Sequence, residues 1–243
     1  NKRHVWNTAL KLQNTALMGR GDFDAFNLMR MFKVGDYVKV LNGQREPDYQ
    51  SILMDNWYGQ ITGIVDDLIE IKLDLKTIID LPFDYLIKLE QDGLSIEVIC
   101  LEPELLELRD KRPFSKDEEK LVRAKLYWIS LFEDRSKDYF GYFSDTDVND
   151  YFSMYAKWIE YLTERIEFPV MVKVVETMRG GLKLGTQIKL LDFDDIDDKY
   201  GILGIGKSKN SSVTWPICDL EVINPKSKAY QPLRDYRIWF ANM

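Results

Sequence analysis

Apolar and polar positions change period three times along the chain. Over residues 1–31, Trp6, Leu10, Leu12, Ala16, Leu17, Phe26, Leu28 and Met29 recur loosely at helical spacing, interrupted at Gly19 and Gly21, and predict a short helical segment. From Phe32 the period shortens. Tyr37-Val38-Lys39-Val40 alternates ahead of an Asn42-Gly43 turn, and residues 57–64 and 68–73 predict further strands. Short strands with turns every eight to twelve residues suggest a small barrel, here residues 32–102. The helical period then returns. Pro103 predicts a short helix through Leu108, and Ser115 with Glu118 forms a capping box ahead of Leu121, Val122, Leu126, Ile129 and Leu131. A charged break over residues 133–141 precedes a second helix, capped near Ser144. Its Val148, Tyr151, Phe152, Tyr155, Trp158, Ile159, Leu162 and Ile166 fall at three- and four-residue steps, as a core-facing stripe does. Phe168-Pro169 stops that helix, so residues 103–166 read as a helical connector.

Residues 167–243 return to strands, at 170–177, 183–191, 200–205 and 213–223, with turns at Arg179-Gly180-Gly181 and at 207–212. An internal repeat accompanies them. Lys33-Val34-Gly35 matches Lys183-Leu184-Gly185, Tyr58-Gly59 with Gly63-Ile64 matches Tyr200-Gly201 with Gly204-Ile205, and the run 81–86 matches 215–220 in the same order. The expected fold is α+β: two small SH3-like β-barrels joined by the helical middle.

Composition narrows the function. The 243 residues are 45% apolar, enough for a sizeable core, and no run reaches the length a membrane helix needs. The net charge of -7 disfavours nucleic acid as the main partner. Cys100 and Cys218 form no zinc or disulfide pattern, and a reducing cytoplasm is the expected location. His4 is the only histidine, which removes imidazole ligands and most His-dependent catalysis. No nucleophile with a base appears, so an enzyme is not expected.

One stretch concentrates charge. Asp192, Asp194, Asp195, Asp197 and Asp198 fall within seven positions, between a strand-like run and Tyr200-Gly201. Two carboxylates about 4 Å apart repel by roughly 4 kcal/mol at an effective dielectric near 20, so five in one loop either splay into water or gather around a cation. A hard cation such as Ca2+ takes six to eight oxygens, which these side chains, carbonyls and water supply. The loop is not an EF-hand: counting from Asp192, the sixth position is Asp197 rather than Gly and the twelfth Leu203 rather than Glu. By itself the run reads equally well as a solvated acidic turn.

Trp158-Ile159-Glu160-Tyr161-Leu162 with Phe168-Pro169, the Asp-rich run ending Tyr200-Gly201, the segment Pro216-Ile217-Cys218-Asp219-Leu220-Glu221, and the ending from Tyr230 through Asp235-Tyr236-Arg237, Trp239-Phe240 and Asn242 resemble the small bacterial calcium-binding protein family described from cyanobacteria. The resemblance covers residues 158–243. It implies an SH3-like barrel over 167–243 that binds calcium through acidic side chains, with a buffering or signalling role. Only the Asp-rich loop is matched as ligands. The N-terminal barrel reads as a divergent copy with a possible protein partner of its own. The alternative is a non-enzymatic interaction module binding a peptide, protein or nucleic acid, for which Trp57 and Tyr58 would be stacking residues.

Overall fold

Gly35 lets the chain turn into its first strand. It has φ of 99°, and the Asp36 N–H donates to the Lys33 carbonyl at 3.0 Å, a turn that leads into Tyr37–Val40 (β1). A computed structural model describes residues 31–176 and 181–243. Residues 1–30 of the helical segment expected at 1–31, and Arg179 and Gly180 of the expected turn, lie outside the described residues. The chain divides into two compact units, Asn1–Val122 and Arg123–Met243.

In the first unit, β1, Tyr58–Val65 (β2), Leu68–Leu73 (β3), Val98–Leu101 (β4) and Leu106–Arg109 (β5) form an antiparallel sheet in the order β4-β3-β2-β1-β5. Alternation sorts the faces: Val38, Val40, Ile61, Ile69, Ile71 and Leu73 are buried, while Lys39, Gln60 and Lys72 lie on the other side. Two expectations change here. Pro103 opens only a 3-10 turn, Pro103–Leu105, and Leu106-Glu107-Leu108-Arg109 is a strand, because its period of two pairs along β1 with Leu108 opposite Val38. The run 81–86 is the start of a helix rather than a counterpart of 215–220. Leu75–Asp80 (α1) is capped by the Asp74 carboxylate accepting from the Thr77 N–H at 2.8 Å, and Phe83–Gln91 (α2) follows with Pro82 as its N-cap.

The second unit holds Val170–Val174 (β6), Gln187–Asp197 (β7), Gly201–Ser208 (β8), Ser211–Pro216 (β9) and Leu220–Val222 (β10), in the order β10-β6-β7-β8-β9. Both sheets therefore run fifth, first, second, third, fourth strand, and in each a 3-10 turn precedes the fifth strand, Pro103–Leu105 in one and Ile217–Asp219 in the other. The matched sequence pairs are out of step with this order by one strand. Lys183 and Gly185 form the same turn as Lys33 and Gly35, with the Thr186 N–H donating to the Lys183 carbonyl at 3.0 Å, yet it leads into the second strand of its sheet rather than the first. Among the described residues no ladder joins the end strands of either sheet, so neither closes into a barrel.

The capping box holds: the Ser115 N–H donates to Glu118 Oε2 at 2.6 Å and the Glu118 N–H to Ser115 Oγ at 3.2 Å, opening Lys116–Phe132 (α3). The predicted break over 133–141 contains a 3-10 turn, Glu133–Arg135, and the helix Ser136–Phe143 (α4). The aromatic stripe lies on Tyr151–Arg165 (α5), capped by Asp150 rather than near Ser144, and the final Tyr230–Ala241 (α6) is also helical. Trp158 is fully buried, with Phe143 at 4.9 Å, Tyr161 at 5.3 Å, and Tyr236 and Trp239 each at 5.6 Å between ring centroids. Each such pair contributes about 0.5–1.5 kcal/mol beyond its buried area. The stripe is core at Tyr155, Trp158 and Leu162 and exposed at Tyr151 and Phe152.

Inside this packing lies one buried carboxylate. Asp235, on α6, is wholly inaccessible and accepts from the Arg135 guanidinium, from the Tyr139 hydroxyl at 2.5 Å and from Gln231 Nε2 at 2.8 Å. Burial, then the bond to Asp235, raises the Tyr139 hydroxyl pKa.

Candidate metal centre

The acidic run is strand for most of its length, not a loop. Asp192, Asp194, Asp195 and Asp197 belong to β7, and Asp198 stands in the turn to β8. The strand is irregular. Asp192 pairs with Ile205 and Phe193 with Gly204, then the register slips so that Asp194 and Asp195 together bulge before Ile196 meets Ile202 and Asp197 meets Gly201. A regular pleat would alternate these side chains between two faces; the bulge breaks that alternation and leaves Asp192, Asp194, Asp195 and Asp198 exposed.

Three carboxylates bind their own backbone. Asp192 Oδ1 accepts from the Phe193 N–H and Asp195 Oδ1 from the Ile196 N–H, both at 2.8 Å. Asp197 Oδ1 accepts from Lys199 N at 2.8 Å and Tyr200 N at 2.9 Å, an Asx turn that shapes the β7–β8 connection. Among the described residues no three His, Cys, Asp or Glu side chains converge as a metal cluster, so the five aspartates are neighbours without a common focus. Their donors are all hard oxygens, and four of the five side chains are exposed.

The turn has a second shore. The Tyr200 carbonyl accepts from Cys218 Sγ at 3.6 Å, and Asp219 lies beside it, its carboxyl pKa raised by burial and then by the charge of Glu176. Glu176 carries no motif signal, which is why the sequence did not point to it. Glu221 is instead paired with Lys173 at 2.7 Å. Burial, then the charge of Asp219, pushes the Cys218 thiol up to about 12, so it is no thiolate ligand at neutral pH. Alkylation at pH 8 is therefore expected to label the exposed Cys100 and leave Cys218 largely unmodified, as peptide mapping by mass spectrometry would read.

The first unit places its acids differently. Asp55 Oδ1 accepts from the Gly43 N–H at 2.6 Å and closes the base of the 42–56 loop. Glu46 is only 4% exposed and accepts from the N–H groups of Asp48, at 2.8 Å, and Tyr49. Burial raises its pKa against those two bonds, which lower it. A raised carboxyl pKa means the folded state holds its proton to higher pH than the unfolded chain, so this group's contribution favours folding at acidic pH and is lost as pH rises toward neutrality. Glu46→Gln is expected to shrink the difference in the first unit's melting temperature between pH 5 and pH 7. Trp57, proposed as a stacking surface, is 5% exposed and packs at 5.9 Å from Tyr85, while the Arg112 guanidinium covers the Tyr58 ring at 4.2 Å.

A family model described as calcium binding, Calci_bind_CcbP, matches residues 146–240. Among solved structures, the crystal structure of Anabaena CcbP is 20% identical, with 40% of this chain and 80% of that one covered and a TM-score of 0.34. A calcium-binding protein in its calcium-binding form is 16% identical, with 53% and 97% covered and a TM-score of 0.36. No curated protein matches significantly. No helix among the described residues is long and apolar enough to cross a membrane. Over residues 146–240, then, the chain is similar to the CcbP family of calcium-binding proteins.

Proposed function

We propose that the protein binds calcium through the acidic end of the β7–β8 hairpin and serves as a non-enzymatic, cytoplasmic calcium buffer or signalling protein. The match of residues 146–240 to a calcium-binding family carries this reading, because the one dense group of carboxylates in the chain falls inside that span. Asp192, Asp194, Asp195, Asp197 and Asp198 are the assigned ligands. The backbone is bulged at 194–195 beside them, and calcium accepts irregular oxygen shells more readily than magnesium does. Four of the five carboxylates are exposed, so their mutual repulsion in the free protein is screened and a bound cation would relieve it. The common strand order, with a 3-10 turn before the fifth strand, favours an SH3-like description of both sheets. The first unit remains assigned to a protein partner only by that analogy.

A ligand that binds only the folded form stabilises it by about 2.7 kcal/mol at a hundred times its dissociation constant. Calcium added to chelator-treated protein is therefore expected to raise the melting temperature of the second unit, more than magnesium at the same concentration. Equal effects of the two ions, or none, would contradict the reading.

A further inference from the structure

We infer that the acidic β7–β8 turn and the C-terminal helix α6 form one coupled element, so that a cation held at the turn tightens α6; this rests on the calcium reading above. Within five residues of Asp197 the chain meets α6 repeatedly. Gly201, at φ of 67°, lies where a Cβ would run into the Tyr236 hydroxyl oxygen and would come within 2.6 Å of Phe240 Cε2. The buried Ile202 N–H donates to that same Tyr236 oxygen at 2.9 Å. Across the turn, the Tyr200 carbonyl accepts from Cys218 Sγ, and the Cys218 carbonyl accepts from Arg237 Nε at 3.0 Å. Tyr236 and Arg237 follow Asp235, whose carboxylate joins α6 to Arg135 and to Tyr139 on α4.

The connection has little slack. Asp197 Oδ1 holds the Lys199 and Tyr200 N–H groups and so sets the path of the residues that enter β8 against α6. Any new engagement of that carboxylate shifts or stiffens backbone that is itself bonded to α6, and packed interfaces of this kind respond by repacking rather than by stretching. Coupling is reciprocal: whatever loosens α6 weakens the cation, and the cation slows the opening of α6.

Hydrogen exchange of the full chain, followed by mass spectrometry, tests this. Saturating calcium is expected to slow exchange across residues 197–202 and at least ~5-fold across α6. In metal-free protein, Asp197→Ala is expected to speed α6 exchange by a similar factor. In Tyr236→Phe, which keeps the ring and loses the acceptor for Ile202, calcium should protect the turn while its effect on α6 falls; Arg237→Ala serves if that variant does not fold. Calcium protection confined to 197–202 in the wild type would overturn the inference while leaving the calcium reading standing. If calcium binds nowhere, that reading fails, and the Asp197→Ala comparison still decides the coupling: unchanged α6 exchange overturns it.

Discussion

Arg135→Ala is expected to lower the stability of the second unit by about 3 kcal/mol, because it strands a charge in the core. Asp235 is wholly buried, and among the described residues its guanidinium partner is the one cation bonded to it. Without Arg135 the carboxylate retains the Tyr139 hydroxyl and Gln231, two neutral donors that do not offset the desolvation of an ion. Because Arg135 is itself partly exposed, the loss sits at the lower end of the range for breaking a buried pair. Asp235→Asn is expected to cost less, since it removes the buried charge along with the ion pair and leaves an amide able to bond Tyr139. Urea unfolding of the two variants and of the double variant measures this; equal costs for Arg135→Ala and Asp235→Asn would show that the charge is not what matters.

Gly201→Val is expected to be about as damaging, at roughly 2–4 kcal/mol, and for a different reason. A β-branched residue is strained at φ of 67°, a term of about 1–3 kcal/mol, and forcing extra carbons against a packed wall adds about as much again. The wall is the Tyr236 hydroxyl and the Phe240 ring, neither of which can retreat without lifting α6 from β8. Gly185→Val provides the control. That glycine also has positive φ, 78°, but nothing lies within 4 Å of its missing Cβ, so it should cost the backbone term alone. Thermal unfolding that ranks the two substitutions equally would contradict the packing argument.

How much of this was legible beforehand depended on how local the signal was. β3 was read at its observed bounds, because Leu68–Leu73 alternates between the Asp66-Asp67 turn and the Asp74 helix cap, and the Ser115–Glu118 box was read because capping is decided within four residues. What failed was non-local. Leu106-Glu107-Leu108-Arg109 is a strand because β1 lies alongside it, and nothing near Pro103 reveals that partner. The resemblance of the run 81–86 to 215–220 misled for the same reason: Leu-Pro-Phe opens a helix and Trp-Pro-Ile ends a strand, and the proline is compatible with both. At the acidic run the density of carboxylates was plain in the sequence and their conformation was not. Five nearby carboxylates suggested a loop, yet Phe193 and Ile196 keep β7 paired with β8 past Asp195, and a bulge absorbs the mismatch. Glu176 and Asp219 come together only through the pairing of β6 with β10, so their proximity left no trace in spacing.

Calcium binding at this hairpin is read out by isothermal titration of the chelator-stripped full chain against the Asp194→Ala/Asp195→Ala double variant. Saturable heat is expected from the wild type below about 1 mM calcium, with a loss of affinity of tenfold or more in the variant, whose melting temperature in chelator should change little because both side chains are exposed and only the local Asp195–Ile196 bond is lost. Wild-type affinity retained in the double variant would place any calcium elsewhere and rule out binding at the β7–β8 hairpin.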